Sequence, residues 1–426
     1  MKHTVHEHKL PSGAQGLVVN VPGSAVVNVQ VAFRSGFQFS DPQVYEVPHI
    51  MEHMLATVTR RHAEPNSFMI DAQKNGAYVN ASTSADTNNY IYEFANFELD
   101  RILDLIDEQV TEPFFGADSF VAEKSNVLEE LTRNTTQHMS VCAIKLSEQT
   151  FPKQSKGYDE RIAQLEAIKL EQLESHYHHT HTARNARFYV SGDFPDGGQE
   201  VAARFERIFA KLPQGERLQL SQELGRKVEN PIVTVRDIEQ IYYRTGMFFR
   251  EIDKQQQAAM AMLRMLMVGG MGSRVLGEAR RRGLAYSVGA IGYSEPGNSS
   301  FGFTGYVTPG HAEALYEIIN RSLRAAGAGE VSEVELEAAK NLLVGSITRS
   351  TQTAGDVLQW YIDRYDESDE IRDFEVELGR LRSVSIEDAT NISQLILGTD
   401  QTALSLLGRI EAADAQTYAG LLSFAS

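Results

Sequence analysis

The stretch that decides how this chain is interpreted is residues 49–53, which read His-Ile-Met-Glu-His. On an α-helix, His49 and His53 stand four residues apart and therefore project from one face, one turn apart. Two imidazoles at this spacing can both bind one zinc ion at about 2.0–2.1 Å. Glu52 lies along the same side, where it can reach a metal-bound water and take its proton as the water attacks a carbonyl. The motif predicts a zinc site with Glu52 as the general base.

A catalytic zinc also needs a third protein ligand and an open fourth position. A second predicted helix, over residues 118–133, offers several carboxylates. Glu123 and Glu130 are two helical turns apart and face one side, whereas Glu129 is turned by about 100° from Glu130. We expect Glu130 to bind the metal, with Glu129 as the alternative ligand. Glu123 is expected to orient the site by contacting a metal ligand without binding the metal itself, or to serve as an alternative carboxylate.

The composition limits the classes of function. A chain of 426 residues with 42% hydrophobic and 23% charged residues is typical of a globular protein of two or three domains. A formal charge of −17, without a dense basic tract, predicts no nucleic-acid partner. No apolar run approaches the roughly 18 residues that cross a bilayer, so we expect no membrane partner. Cys142 is the single cysteine and no secretory signal opens the sequence, so we expect a cytoplasmic location.

The order of predicted elements occurs twice along the chain. A strand, a helix, a β-rich segment, amphipathic helices and a closing strand make up the first half. The second half opens with a strand at 241–247 and a helix at 256–267 and closes in the same way. The fold class predicted is α+β, with two duplicated α/β-sandwich domains in which helices pack on a mixed or antiparallel sheet. We place the zinc-binding domain at 1–215 and the second domain at 231–426, with 213–231 as the linker.

The motif at 49–53 resembles the inverted zinc motif of the pitrilysin/insulinase-type metallopeptidases, the inverzincins. The resemblance runs nearly end to end and implies a glutamate at the position of Glu130 as the third ligand. Residues 76–83 resemble the family's edge strand, to which an extended substrate pairs by strand addition. Asn80, Ala81 and Thr83 are thereby implied to hold the substrate backbone.

The second half carries a further part of the resemblance. Residues 283–287 resemble a family signature that implies substrate contacts near the zinc by Tyr286 and an upstream arginine. The family usually places this arginine seven residues before the tyrosine, where this chain has Ala279, so Arg280 is the candidate. The second half has no counterpart of the zinc motif, which implies one Zn²⁺ per chain.

The resemblance is nearest to the family's short two-domain form, which includes mitochondrial processing peptidase subunits and small bacterial relatives. In that form two chains face each other as a clamshell, which implies a homodimer or a heterodimer with a paralogous chain.

Together these patterns predict a zinc metalloendopeptidase that hydrolyses peptides or unfolded segments bound as an added β-strand. Two alternatives remain open: a non-catalytic subunit of the same fold whose zinc site has decayed, and a regulatory module that binds zinc and sequesters peptides without cutting them. The ligand set and Glu52 are intact, which argues against decay. The histidine-rich stretch at 176–181 is interpreted as a solvated helix end rather than a second metal site.

Overall fold

The computed structural model describes residues 1–422, apart from the side chain of Glu367, and contains two β-sheets with helices packed on them. The strands are β1 (Thr4–Lys9), β2 (Gln15–Asn20), β3 (Val26–Phe33), β4 (Tyr78–Thr83), β5 (Asn88–Ala95), β6 (Ala186–Gly192), β7 (Ile232–Val235), β8 (Ile241–Phe249), β9 (Val288–Glu295), β10 (Asn298–Val307) and β11 (Thr402–Gly408). The helices are α1 (Val47–Thr57), α2 (Ser67–Gln73), α3 (Leu99–Thr111), α4 (Ala117–Asn134), α5 (His138–Thr150), α6 (Tyr158–Leu165), α7 (Leu170–Thr180), α8 (Gln199–Phe209), α9 (Lys254–Val268), α10 (Leu276–Arg281), α11 (Pro309–Gly327), α12 (Glu333–Arg349), α13 (Ala354–Ser368), α14 (Phe374–Ser383), α15 (Ile386–Leu397) and α16 (Ala412–Leu422). Within residues 1–422, no helix is both long and apolar enough to cross a bilayer.

The two sheets share one topology. The first has the strand order β1-β2-β6-β3-β5-β4 and the second has the order β7-β11-β8-β10-β9. Neighbouring strands are antiparallel, except that β2 and β6 in the first sheet and β7 and β11 in the second are parallel. Without the extra edge strand β1, the two orders correspond strand for strand. This correspondence confirms the predicted α+β architecture of two duplicated halves.

The chain packs into two compact units that exchange segments. The first contains 1–133, 158–220 and 350–371, and the second contains 134–157, 221–349 and, among the described residues, 372–422. The packing therefore departs from the predicted continuous domain ranges, whose last four residues lie outside the described residues. The predicted linker at 213–231 contains no helix or strand, and the boundary between the units falls inside it.

Helix α5 leaves the sequence of the first half and packs on the second sheet. Val141, Cys142 and Leu146 on its apolar face are buried. The Cys142 thiol donates to the Ser405 carbonyl of β11 at 3.3 Å, and burial raises the pKa of this thiol to about 11. Leu146 packs with Phe248 of β8. The apolar stripe forms the helix, but its partners are two strands of the second sheet, about 100 and more than 250 residues away in the chain.

Helix α13 makes the reciprocal exchange and packs on the first sheet. The rings of Tyr365 and Tyr189 of β6 lie 6.2 Å apart, edge to face. Just beyond the helix, Asp369 accepts two hydrogen bonds from Arg187 of β6, at 2.9 and 3.1 Å. Arg187 is almost fully buried, and bidentate pairing with a carboxylate satisfies the buried guanidinium.

Helices α1 and α4 position the candidate site in the first unit. On α1, the apolar side chains of Ile50, Met51 and Met54 are buried in the core, as the helical spacing requires. On α4, Val127 and Leu131 are buried in the same core. The polar faces of both helices remain available to form a site.

The signature segment at 283–287 lies between α10 and β9. A turn follows α10, and β9 begins only at Val288. Gly283 has a φ of +66°, a left-handed conformation that ends the helix and that other residues adopt at a cost.

Candidate metal centre

Three ligand groups of the first unit converge at one point. One ligand atom from each of His49, His53 and Glu130 lies within 4.8 Å of the others. Glu130 Oε2 is 3.5 Å from His49 Nε2 and 3.9 Å from His53 Nε2. Ligand atoms of a tetrahedral zinc site lie about 3.3 Å apart, given metal–ligand bonds of about 2.0–2.1 Å. The three groups thus fit zinc after small shifts, and the group contains Glu130 and not the exposed Glu129.

The remote nitrogen of each imidazole has a carboxylate partner. His49 Nδ1 lies 3.0 Å from Glu46 Oε2, and His53 Nδ1 lies 3.1 Å from Glu123 Oε2. A carboxylate at Nδ1 favours the tautomer that carries a proton there and leaves the Nε2 lone pair for a metal. Glu123 lies on the far side of His53 from Glu130, and its predicted part in orienting the site stays a prediction. Glu46, which the sequence interpretation missed, occupies the equivalent place behind His49.

The electrostatics of the centre favour a cation. The hydrogen bond with His49 lowers the pKa of Glu130 to about 2, so this carboxylate is ionised at neutral pH. Burial lowers the pKa of His49, but its hydrogen bonds to Glu130 and Glu46 outweigh burial and raise the pKa to about 9. Burial also raises the pKa of Glu123, and hydrogen bonds from His53 and Asn126 reverse that shift. Two imidazoles and one carboxylate form a nitrogen and oxygen ligand set typical of catalytic zinc.

Glu52 is held on the same helix by a chain of hydrogen bonds. Its Oε2 accepts from the Thr83 hydroxyl at 2.7 Å, and this hydroxyl accepts from Asn88 Nδ2 at 2.6 Å. Asn88 Oδ1 in turn accepts from the Ser35 hydroxyl at 2.6 Å. Asn88 and Ser35 are fully buried, so this series of hydrogen bonds holds Glu52 from the protein interior. Neither residue was predicted, because no local pattern links them to the motif.

Strand β4 lies at the edge of the first sheet and pairs with β5. Asn80 is exposed and Ala81 is half-buried. Thr83, predicted to hold substrate, uses its hydroxyl for Glu52 and Asn88. The structure therefore places the Thr83 hydroxyl on Glu52, and the substrate contacts of Asn80 and Ala81 stay a prediction.

Tyr286 and Arg280 lie together in the second unit. The Arg280 guanidinium stacks on the Tyr286 ring at 4.3 Å from its centroid, and its Nη1 donates to the Tyr286 carbonyl at 3.3 Å. The Tyr286 side chain is 74% exposed. The predicted contacts of this pair with substrate stay a prediction.

The interpretation of the stretch at 176–181 was wrong for two of its histidines. His176 is buried and its Nε2 donates to the Ser35 carbonyl at 2.9 Å. His181 is fully buried, with its Nε2 3.0 Å from the Tyr90 hydroxyl and its ring stacked on Phe33. Burial lowers the pKa of both imidazoles. They are neutral core groups: His176 lies on the buried face of α7, and His181 follows the end of that helix.

Comparison with known proteins gives the family. Residues 17–160 match the model described as "Insulinase (Peptidase family M16)", and residues 167–343 match that of the "Peptidase M16 inactive domain". The chain is 24% identical to an uncharacterized zinc protease of Streptomyces coelicolor, with 96% of this chain and 90% of the relative covered. It is 23% identical to a protein of Helicobacter pylori named "Non-peptidase homolog YmxG", with 75% of this chain and 74% of the relative covered.

The fold is shared with solved structures. The crystal structure of a protease from Helicobacter pylori aligns with a TM-score of 0.84 at 19% identity, covering 95% of this chain and 100% of that one. At that identity the likeness concerns the fold alone. The two family models and the common topology lead to one conclusion: the chain belongs to peptidase family M16, the insulinase family.

Proposed function

We propose that this protein is a zinc-dependent endopeptidase. His49, His53 and Glu130 would hold one Zn²⁺, and Glu46 and Glu123 would orient the two imidazoles. The proposal is carried by the convergence of the three ligand groups on α1 and α4, beside an intact Glu52 on α1. When bound, zinc polarises a scissile carbonyl and acidifies a water molecule.

Glu52 would act as the general base and then as the general acid. Its carboxylate takes a proton from the attacking water and later delivers a proton to the leaving amine. The hydrogen bond from Thr83 holds one carboxylate oxygen, Oε2. Such anchoring limits the carboxylate to a narrow range of positions, which proton transfer over hydrogen-bond distance requires.

The substrate would be an extended peptide or unfolded segment added to the edge of the first sheet. Side chains alternate along β4, with Tyr78, Asn80 and Ser82 exposed and the residues between them wholly or partly buried. An extended segment added at such an edge gains main-chain hydrogen bonds along its length. Asn80 and Ala81 would flank the substrate backbone.

The remaining parts of the proposal concern the assembly and its setting. Two chains, identical or paralogous, would form a clamshell chamber in which Tyr286 and Arg280 contact the substrate. The negative charge of the chain supports peptides rather than nucleic acid as partners. We place the protein in the cytoplasm, without a membrane partner.

A second candidate is a non-catalytic member of the same family that holds peptides. The Helicobacter pylori relative named "Non-peptidase homolog YmxG" keeps this candidate open. The three ligand groups and Glu52 favour the catalytic proposal, because a protein that only holds peptides does not need a general base beside a metal.

The test combines metal quantification with hydrolysis of a quenched fluorescent peptide library by the purified chain. The catalytic proposal expects about one zinc per chain and hydrolysis that stops when a chelator removes the metal. Glu52→Gln should keep the zinc and lower kcat by about 10²–10⁴-fold, because only the proton acceptor is lost. Zinc without hydrolysis would favour the peptide-holding candidate. Absence of zinc from the wild-type chain would overturn both the metal site and the enzyme.

A further inference from the structure

A buried ion pair stands behind the first histidine of the motif. Glu46 is the residue before α1, and its side chain has no exposed surface. Its Oε2 lies 3.0 Å from His49 Nδ1 and accepts from Arg161 Nη2 at 3.2 Å, while its Oε1 accepts from Arg161 Nε. One carboxylate is thus shared between an imidazole and a guanidinium, and both of its oxygens are fixed.

Arg161 reaches this position from α6, far along the chain from α1. Its guanidinium lies over the rings of Phe37, Tyr45 and Tyr158, at 4.9, 5.6 and 5.5 Å from their centroids. Only 11% of its side chain is exposed. The aromatic rings pack against the faces of the guanidinium, and two of its nitrogens donate to the Glu46 carboxylate. Together these contacts leave the Arg161 side chain few other conformations.

The second histidine is supported differently. Glu123 holds His53 Nδ1 at 3.1 Å and is itself held by the neutral amide of Asn126 at 3.0 Å. A fully buried carboxylate such as Glu46 is costly unless a cation compensates it, and removing the cation leaves an uncompensated charge. Arg161 supplies Glu46 with a permanent positive charge and two hydrogen bonds, which hold the carboxylate in place beside His49.

From this geometry we infer that Arg161 is a positioning residue for the metal site, acting through Glu46 on the tautomer and direction of His49. The inference rests on the proposed function, because it concerns the affinity of His49, His53 and Glu130 for zinc. Groups that hold a ligating histidine typically change metal affinity by about 10- to 100-fold when they are lost. Arg161 should belong to this class although its hydrogen bonds are to Glu46 and not to the three ligand groups.

The experiment measures zinc affinity of the metal-free chain by competition with a chromophoric chelator, in parallel with the visible spectrum of the Co²⁺ form. Arg161→Met should weaken zinc binding by about 10- to 100-fold and alter the Co²⁺ spectrum. Arg161→Lys, which keeps the charge but not the fork, should fall between this variant and the wild type. The matched control is Arg187→Met, which breaks another buried pair of the same unit, with Asp369. It should lower thermal stability and leave zinc affinity within about two-fold.

A double-mutant cycle shows whether Arg161 acts through Glu46. Glu46→Gln should weaken zinc binding, and Arg161→Met added to it should weaken binding little further. The double variant removes both members of the pair and also avoids a lone buried charge, so it covers the case in which Arg161→Met does not fold. Wild-type zinc affinity in Arg161→Met or in the double variant would overturn the inference while leaving the proposed function intact. A wild-type chain without zinc affinity would overturn both.

Discussion

The helix after the central strand of each sheet shows where the two halves of the molecule diverge. In the first unit, α1 follows β3 and Glu52 on it accepts from the Thr83 side chain of β4. In the second, α9 follows β8, and residues 262–266 read Met-Leu-Arg-Met-Leu. There Arg264 donates to the Ala290 carbonyl of β9 at 3.1 Å. The same scaffold carries the candidate metal centre in one copy and a structural contact in the other, so the proposed chemistry depends on a few side chains and not on the fold.

The largest difference between the two helices is expected when one side chain on each is replaced. His53→Ala should abolish zinc binding and hydrolysis, because two ligand groups cannot replace three. Arg264→Ala on α9 should leave zinc at the wild-type level, as measured by metal quantification after dialysis. Zinc retained by His53→Ala at the wild-type amount would place the site elsewhere.

The exchanged helices can be tested by one truncation in each. Leu146→Ala on α5 and Ile362→Ala on α13 should each lower the free energy of unfolding by about 2–5 kcal/mol, since both side chains are buried. Hydrogen exchange measured by mass spectrometry should rise in β8 and β11 for Leu146→Ala, and in β3 and β6 for Ile362→Ala. The opposite pattern would mean that each helix packs within its own half of the sequence.

Acid should lower the stability of the first unit more than that of the second. Burial lowers the pKa of His176 to about 4, whereas the imidazole of an unfolded chain has its ordinary pKa of about 6.5. The unfolded state therefore binds a proton that the folded state refuses between pH 6.5 and pH 4. Stability is full above this window and falls through it by at most about 3 kcal/mol.

The variant that checks this assignment is His176→Gln, whose amide can still donate to Ser35. It should unfold with a weaker dependence on pH, followed by denaturant titration at several pH values. The exposed His178 provides the control, and His178→Gln should keep the wild-type pH dependence. Equal pH dependence in wild type and His176→Gln would assign the acid sensitivity to other groups.

The smallest effect is expected on kcat, when the hydrogen bond from Thr83 to Glu52 is removed. Thr83→Val should lower kcat by about 10-fold, since a hydrogen bond to a charged group contributes about 1.5–3 kcal/mol and only part of it is lost in positioning. Zinc content should not change. Ser82→Ala on the same strand is the control, because Ser82 is exposed and points away from Glu52. A Thr83→Val enzyme as active as the Ser82→Ala enzyme would leave Thr83 without a role in catalysis.

The candidate site is most predictable from the sequence where its side chains share one face of a helix. The four-residue step from His49 to His53 and the seven-residue step from Glu123 to Glu130 both place their side chains on one face. Glu46 lies three residues before His49, so the same rule offered a signal for it that was not used. Arg161 and Asn88 gave no such signal, because their link to the motif exists only through contacts between distant elements.

Periodicity and helical geometry are local properties, so the α+β class, the duplication and the spacing of the motif on α1 follow from the order of the amino acids alone. Contacts between distant segments, in contrast, set the exchange of α5 and α13 between units, the burial of His176 and His181, and the support of Glu46 by Arg161. An apolar stripe or a charged side chain requires a partner, but many segments can supply one. Which segment does so is settled by the packing of the whole chain.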